Sequence, residues 1–381
     1  MGKCDILVIS VQKNRKVSNR MNTVTVKIDR SKAEFTEAED AVLRRAGEVI
    51  RAGGLVAFPT ETVYGLGGDA LNRESSRKIY AAKGRPSDNP LIVHICKFED
   101  IRQIVKEVPE EACRIAEAFW PGPLTMILPK SELVPRETTG GLDTVAVRFP
   151  SDKIAQKLIE YSGGYIAAPS ANLSGRPSPT VAKYVAEDMD GRIEMIIDGG
   201  AVGIGLESTI IDLTVSPPQI LRPGYVTEEM LRRVLGRVDT DVTILSADSG
   251  QAPKAPGMKY RHYAPKGELT IVEGEPDAVV AYINGQVQKA RENGEKTGVI
   301  GTDECAGRYS ADVVKSVGSR EDEESIARHL FTALREFDDE NVERMYSESF
   351  DSAGLGQAIM NRLLKAAGHH VVRLQDETKI P

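Results

Sequence analysis

The sequence predicts an α/β protein in two parts, a larger first domain and a small second domain in which strands and helices alternate as in a Rossmann-like parallel sheet. Three observations lead there. Short apolar runs recur between residues 55 and 222, and most end in a loop of small hydroxyl, amide or cationic side chains, as strands do when their mouths line a ligand site. From about residue 268, apolar runs and amphipathic stretches alternate, which favours parallel pairing. Between the two lies Ser249-Gly250-Gln251-Ala252-Pro253, a linker by composition. The 381 residues, 41% hydrophobic, can bury sizeable cores. The expected division is 1–34 for an N-terminal extension and first strand, 35–237 for the larger domain, 238–267 for the linker and 268–381 for the small domain.

In chain order, residues 1–20 carry Lys13, Arg15, Lys16 and Arg20 before Met21, itself a candidate start, and are read as a disordered arm. Ala38, Ala41, Val42, Ala46, Val49 and Ile50 fall at helical spacing before Gly53. Leu55 to Phe58 is a buried strand that Pro59 ends. Ser75 to Ala82 reads as a helix emptying into Lys83-Gly84-Arg85-Pro86, where two cations flank a glycine and suit an anion. Leu91 to Ile95 returns as a strand bearing His94. Pro109 to Phe119 is a helix, Trp120 a packing residue, and Leu124 to Leu128 a strand.

Thr144 to Phe149 alternates as a strand around a lone Arg148. A buried cation needs a partner, either a ligand carboxylate or an internal acid. Tyr165 to Ala168 runs into Pro169-Ser170-Ala171-Asn172-Leu173-Ser174-Gly175, readable as a ligand loop or as a turn that satisfies its own backbone. Met195 to Asp198, the run at Glu207-Ser208-Thr209, and Ile220 to Arg222 complete the strand mouths, with residues 226–236 as a closing helix. The linker holds Lys254, Lys259, Arg261, His262 and Lys266 among Tyr260 and Tyr263, with no acid from Gly250 to Gly267. Such a segment acts as a lid over an anionic aromatic ligand or as a solvated connector. In the small domain, strands are expected at 269–273, 297–301 and 312–316, with helices at 278–291, around Ile326 to Phe337, and at 355–367.

The net charge of −7 argues against a surface coated for nucleic acid and leaves room only for local, weak RNA contact. Cys4, Cys96, Cys113 and Cys305 are scattered, so neither a zinc site nor a disulfide framework is expected and a reducing cytoplasm suits the chain. No apolar run reaches the roughly 18 to 20 residues of a membrane helix. His369 and His370 lack spaced carboxylates, so no metal ligands are expected of the protein. No P-loop pattern is present. Gly65, Gly67 and Ala70 form a weak G-x-G-x-x-A, but it stands away from its strand and Arg73 follows where an acid belongs. The remaining inventory of cations, hydroxyls, amides and one His binds and orients polyanions, so catalysis by positioning and charge stabilisation is expected.

Read in order, Pro59-Thr60-Glu61-Thr62-Val63-Tyr64-Gly65-Leu66, Lys83-Gly84-Arg85-Pro86, Pro90-Leu91, Trp120-Pro121-Gly122-Pro123-Leu124-Thr125, Ala168 to Gly175, Ser208-Thr209-Ile210 and Leu221-Arg222-Pro223-Gly224 resemble the YrdC family. Ala255 to Pro265 and Gly354 to Arg362 are similar to the linker and C-terminal end of its long, two-domain form. The resemblance implies a YrdC-like twisted mixed sheet with flanking helices. It also implies L-threonylcarbamoyladenylate synthesis from L-threonine, bicarbonate and ATP, feeding the tRNA threonylcarbamoyl transfer machinery. It further implies Lys83 and Arg85 as catalytic groups. Thr62, His94, Arg148, Ser170 and Ser208 would hold threonine, and Arg85, Asn89, Thr144, Asn172, Thr180, Arg222 and Tyr263 the nucleotide, with Mg2+ arriving on ATP. A non-catalytic double-stranded RNA or tRNA-binding module is the alternative.

Overall fold

The computed structural model describes residues 21–241 and 262–374. The basic arm, most of the linker and the last seven residues lie outside them. The larger domain runs β1 (Val24–Lys27), α1 (Glu37–Arg51), β2 (Val56–Phe58), β3 (Gly65–Asp69), α2 (Arg73–Lys83), β4 (Ile92–His94), the single turn α3 (Ile101–Ile104), α4 (Glu110–Phe119) and β5 (Leu124–Pro129). It continues with β6 (Thr144–Arg148), α5 (Lys153–Tyr161), β7 (Ile166–Ala167), α6 (Ala182–Met189), β8 (Met195–Asp198), β9 (Thr209–Asp212), β10 (Gln219–Arg222), α7 (Glu228–Leu235) and β11 (Asp239–Thr240). Its strands form one 11-stranded sheet in the order β1-β8-β2-β3-β7-β4-β6-β5-β9-β10-β11, with parallel and antiparallel pairs mixed.

The helices start and stop where their residues dictate. Thr36 caps α1 reciprocally with Glu39, whose carboxylate accepts the Thr36 backbone N–H at 2.9 Å. Asn72 caps α2, and Gly84 ends it in the left-handed region at φ 61°. A Cβ at Gly84 would meet nothing within 4 Å, so the glycine serves the turn.

Strand β3 is the element that the sequence conceals. It is Gly-Leu-Gly-Gly-Asp, antiparallel to both β2 and β7. A Cβ on Gly67 would come within 2.8 Å of Phe58 and 2.9 Å of Ile166, so closeness to its neighbours requires glycine. The weak dinucleotide pattern therefore lies in a strand rather than a strand-to-helix turn.

The small domain runs β12 (Glu268–Glu273), α8 (Pro276–Glu292), β13 (Thr297–Gly301), β14 (Val313–Ser316), α9 (Glu323–Asp339), β15 (Arg344–Glu348), α10 (Gly354–Ala366) and β16 (Val371–Arg373). Its five strands are all parallel, in the order β14-β13-β15-β12-β16. Its core reaches across the seam. Val63 and Leu206 of the larger domain, and Tyr263 of the linker's end, pack in one cluster with Phe331, Leu334 and Phe337 of α9. Burying each such large side chain contributes about 1.5–3 kcal/mol. At Gly205 the backbones nearly touch, since a Cβ there would stand 2.5 Å from the Ala327 carbonyl oxygen on α9.

Candidate active site

The mouths of β4, β6, β9 and β10, the loop after β7 and the end of the linker surround one cavity. Parallel pairing of β4 with β6 sets His94 opposite Arg148. The Gly84 turn delivers Arg85, whose guanidinium donates to the Asn89 side-chain oxygen at 2.6 Å and to the Pro90 carbonyl at 3.0 Å. Arg222 reaches across from β10 and donates through Nε to the Ser208 carbonyl at 3.0 Å and through Nη2 to the Ser208 hydroxyl at 3.1 Å.

The loop after β7 satisfies both of its expected readings. The Ser170 hydroxyl donates to the Asn172 side-chain oxygen at 2.5 Å and Asn172 Nδ2 donates to the Leu173 and Arg176 carbonyls, yet both residues line the cavity. Tyr263, at φ 64°, closes one side, its ring 5.0 Å from that of Phe331. Arg85, His94, Arg148, Ser170, Asn172, Ser208, Arg222 and Tyr263 therefore share one enclosure.

The other expected site residues stand outside the wall. Lys83 is buried beneath it, and its ammonium donates to the backbone carbonyls of Ser170 and Asn172 and, at 3.3 Å, to the Asn172 side chain. Its contacts thus support the loop, where the sequence reading set it facing phosphate. Burial and neighbouring Arg85 lower its pKa well below the ordinary lysine value. Asn89 orients Arg85. Thr62 is buried behind Thr60, with 2.8 Å between the hydroxyls. Thr144 begins β6 at the end away from Arg148, where the β4–β6 register carried back two residues sets it level with Pro90. Thr180 turns to the small domain, its hydroxyl 2.8 Å from that of Thr332 on α9.

Arg148 has an internal partner, Glu61, at 2.8 Å. The contact is an ion pair without hydrogen-bond alignment, since both Glu61 oxygens and Arg148 Nη2 are buried with no hydrogen-bond partner. The internal-acid reading of Arg148 is thus realised, and the same guanidinium still faces the cavity.

The electrostatics follow from burial. His94 is pulled down to about 3, first by desolvation and then by Arg148, so the imidazole is neutral at pH 7. Its Nδ1 lies 3.1 Å from the Ile92 carbonyl, which can only accept, so a proton on Nδ1 satisfies that contact. Burial lowers Arg222 to about 10, still a cation at neutral pH. Tyr263 is raised to about 12 by burial, with Glu207 adding to it.

Sequence reasoning missed a histidine and a carboxylate of the cavity wall. His262 was grouped with the linker cations, but burial followed by Arg85 brings it to about 3, and its Nε2 is buried without a hydrogen-bond partner. Glu207 was read only as a neighbour of Ser208. Burial would raise its carboxyl, but Arg362, Arg222 and the Ser178 hydroxyl outweigh that and hold it below the ordinary value. Only a signal from the distant α10 could have exposed its role. Among the described residues no group of three or more His, Cys, Asp or Glu side chains is placed to hold a metal. Both Glu207 oxygens are already engaged, by Ser178 and Arg362. The wall therefore does not fit a magnesium ion held by protein carboxylates.

Residues 48–224 match the family model Sua5_yciO_yrdC, described as telomere recombination, and residues 226–368 match the threonylcarbamoyl-AMP synthase C-terminal domain. The fold is that of a YrdC-like protein in its long, two-domain form. The threonylcarbamoyl-AMP synthase of Pyrococcus abyssi (strain GE5 / Orsay) is 53% identical over 88% of this chain and 97% of its own length. That of Bacillus subtilis (strain 168) is 48% identical over 88% and 95%. The crystal structure of P. abyssi Sua5 complexed with L-threonine superposes with a TM-score of 0.87 at 50% identity, covering 93% of this chain and all of that one. The chain belongs to the threonylcarbamoyl-AMP synthase family.

Proposed function

We propose that this protein is an L-threonylcarbamoyladenylate synthase, joining L-threonine, bicarbonate and ATP with release of pyrophosphate. One observation carries the reading: in a chain of this family, the cations Arg85 and Arg222 share a single enclosure with His94, Arg148, Ser170 and Ser208. The first pair suits a triphosphate. The second group suits an amino acid, with Arg148 turning from Glu61 to the threonine carboxylate and neutral His94 offering an acceptor to its hydroxyl or amine.

In this scheme the threonine amine attacks the bicarbonate carbon and water leaves, giving N-carboxythreonine. Its new carboxylate attacks the α-phosphorus of ATP, the α–β bridging bond breaks, and pyrophosphate departs with its charge taken up by Arg85 and Arg222. No covalent protein nucleophile is needed, in keeping with catalysis by positioning and fixed charge. Lys83 supports the loop that carries Ser170 and Asn172, while Asn89, Thr144 and Thr180 back the nucleotide side and Thr62 the amino-acid side. Mg2+ would travel on the phosphates. The product would pass to the tRNA threonylcarbamoyl transfer machinery of the cytoplasm, and among the described residues no helix is long and apolar enough to cross a membrane. The test is pyrophosphate release from ATP and bicarbonate, with and without L-threonine. Threonine-dependent release is expected; salt-sensitive RNA affinity without it would favour the RNA-binding alternative.

A further inference from the structure

Among the described residues, the two bulkiest side chains buried to below 2% exposure are both arginines of the small domain, Arg335 on α9 and Arg362 on α10, and both bond to the larger domain. Arg335 donates to the Pro177 carbonyl, at 3.0 Å from Nε, and to both Asp188 oxygens, at 3.1 and 2.6 Å. Arg362 donates through Nε to Glu207 Oε2 at 3.0 Å, through Nη2 to the Glu207 carbonyl at 3.2 Å and through Nη1 to the Pro223 carbonyl.

The geometry around Arg362 is specific to the cavity. Glu207 lines the wall, and its contacts to Arg362 sit immediately before Ser208. Pro223 immediately follows Arg222, which is itself bonded to Ser208. One guanidinium therefore neutralises the wall carboxylate and holds the backbone beside both members of the Ser208–Arg222 pair. For stability alone an apolar pair of equal volume would serve as well, because desolvating a guanidinium and a carboxylate cancels much of their attraction.

We infer that Arg362 is a positioning residue of the adenylating site: by pairing with Glu207 it removes a negative charge from the path of the triphosphate and sets Ser208 and Arg222. The nucleotide site is then complete only with the small domain docked. This rests on the reading of the cavity as an ATP site, and the experiment separates the two.

ATP affinity is measured by titration calorimetry at pH 8 on the full chain, with pyrophosphate release followed in parallel. Arg362→Met leaves the buried Glu207 with only the Ser178 hydroxyl and the charge of Arg222 to offset it, and ATP affinity is expected to fall about tenfold or more, as for removing one partner of a buried charge pair. Adding Glu207→Gln to that variant removes the stranded charge and should restore most of the loss, a rescue that a purely structural role would not give. A double variant as weak as the single, or an Arg362→Met protein that binds ATP like the wild type, overturns the inference. Should Arg362→Met fail to fold, Glu207→Gln alone decides: affinity held or raised supports the role, and a tenfold loss sinks it. If the wild type binds ATP but shows no threonine-dependent pyrophosphate release, the proposed reaction fails while the arginine result still stands.

Discussion

The molecule contains two sheets whose strand ends carry similar chemistry and use it in opposite ways. In the small domain, Glu348 ends β15 beside Thr302, just past β13, at the carboxyl ends of central strands of a parallel sheet, where α/β folds often bind ligands. It is closed on itself: Glu348 accepts from the Thr302 N–H at 3.1 Å and the Thr302 hydroxyl at 3.2 Å, from the Tyr309 hydroxyl at 2.9 Å, and from Arg320. In the large sheet the same residue types line a cavity, and their bonds hold them in place beside it. A charged strand end becomes a site only when its neighbours leave a space in front of it, which composition does not encode.

The sharpest way to break this contrast is Arg85→Ala, expected to cut threonine-dependent pyrophosphate release about a hundredfold or more, the scale of removing a donor to developing charge. The thermal midpoint should stay near that of the wild type, and near-normal turnover would remove Arg85 from the chemistry. Next in size is Arg148→Ala, for which steady-state kinetics should give a threonine KM raised about tenfold or more, the scale of losing a charge-assisted contact. An equal rise in the ATP KM would mean that Arg148 does not belong to the amino-acid side.

The closed site should answer in the other currency. Glu348→Ala strands Thr302, Tyr309 and Arg320, and is expected to lower stability in denaturant melts by about 1–3 kcal/mol without changing kcat. A fall in kcat would make the small sheet part of the active machinery.

The smallest effect concerns pH. His94 and His262 both titrate at about 3 in the folded protein, below the ordinary 6.5. Above pH 6.5 neither the folded nor the unfolded state is protonated, and their contribution is constant. As pH falls through 6.5 toward 3, the unfolded chain takes up protons that the native state refuses. Stability should then drop by up to about 1.4 kcal/mol per pH unit for each histidine. Melts at pH 7.5 and 5.0 measure this, and replacing His262 by Asn should reduce the slope.

How far the sequence disclosed these features depended on whether the signal was local. Strand β13 was read to its end residues, 297–301, because its apolar run is bounded by polar residues on both sides. The α2 and α4 boundaries came within two residues, with Asn72 and Gly84 capping α2, although no side chain caps the start of α4. Strand β3 was missed because its residues suit a strand only when Phe58 and Ile166 press against it, a fact belonging to other segments. The cavity wall was legible as recurring cations and hydroxyls at strand mouths. The difference between Arg85 in the wall and Lys83 beneath it was not, since one glycine turns the chain between them. Arg335 and Arg362 stand in amphipathic helices where an arginine ordinarily marks the wet face, and their burial depends on a surface more than a hundred residues away in sequence.

Tyr263 belongs at once to the cavity wall and to the cluster that seats α9 on the larger domain. Its ring is shared property, so the free energy of filling the cavity and that of holding the two halves together are reciprocally coupled through it. A ligand that favours the placement of that ring against Phe331 tightens the joint, and a loosened joint returns the same factor as weaker occupancy.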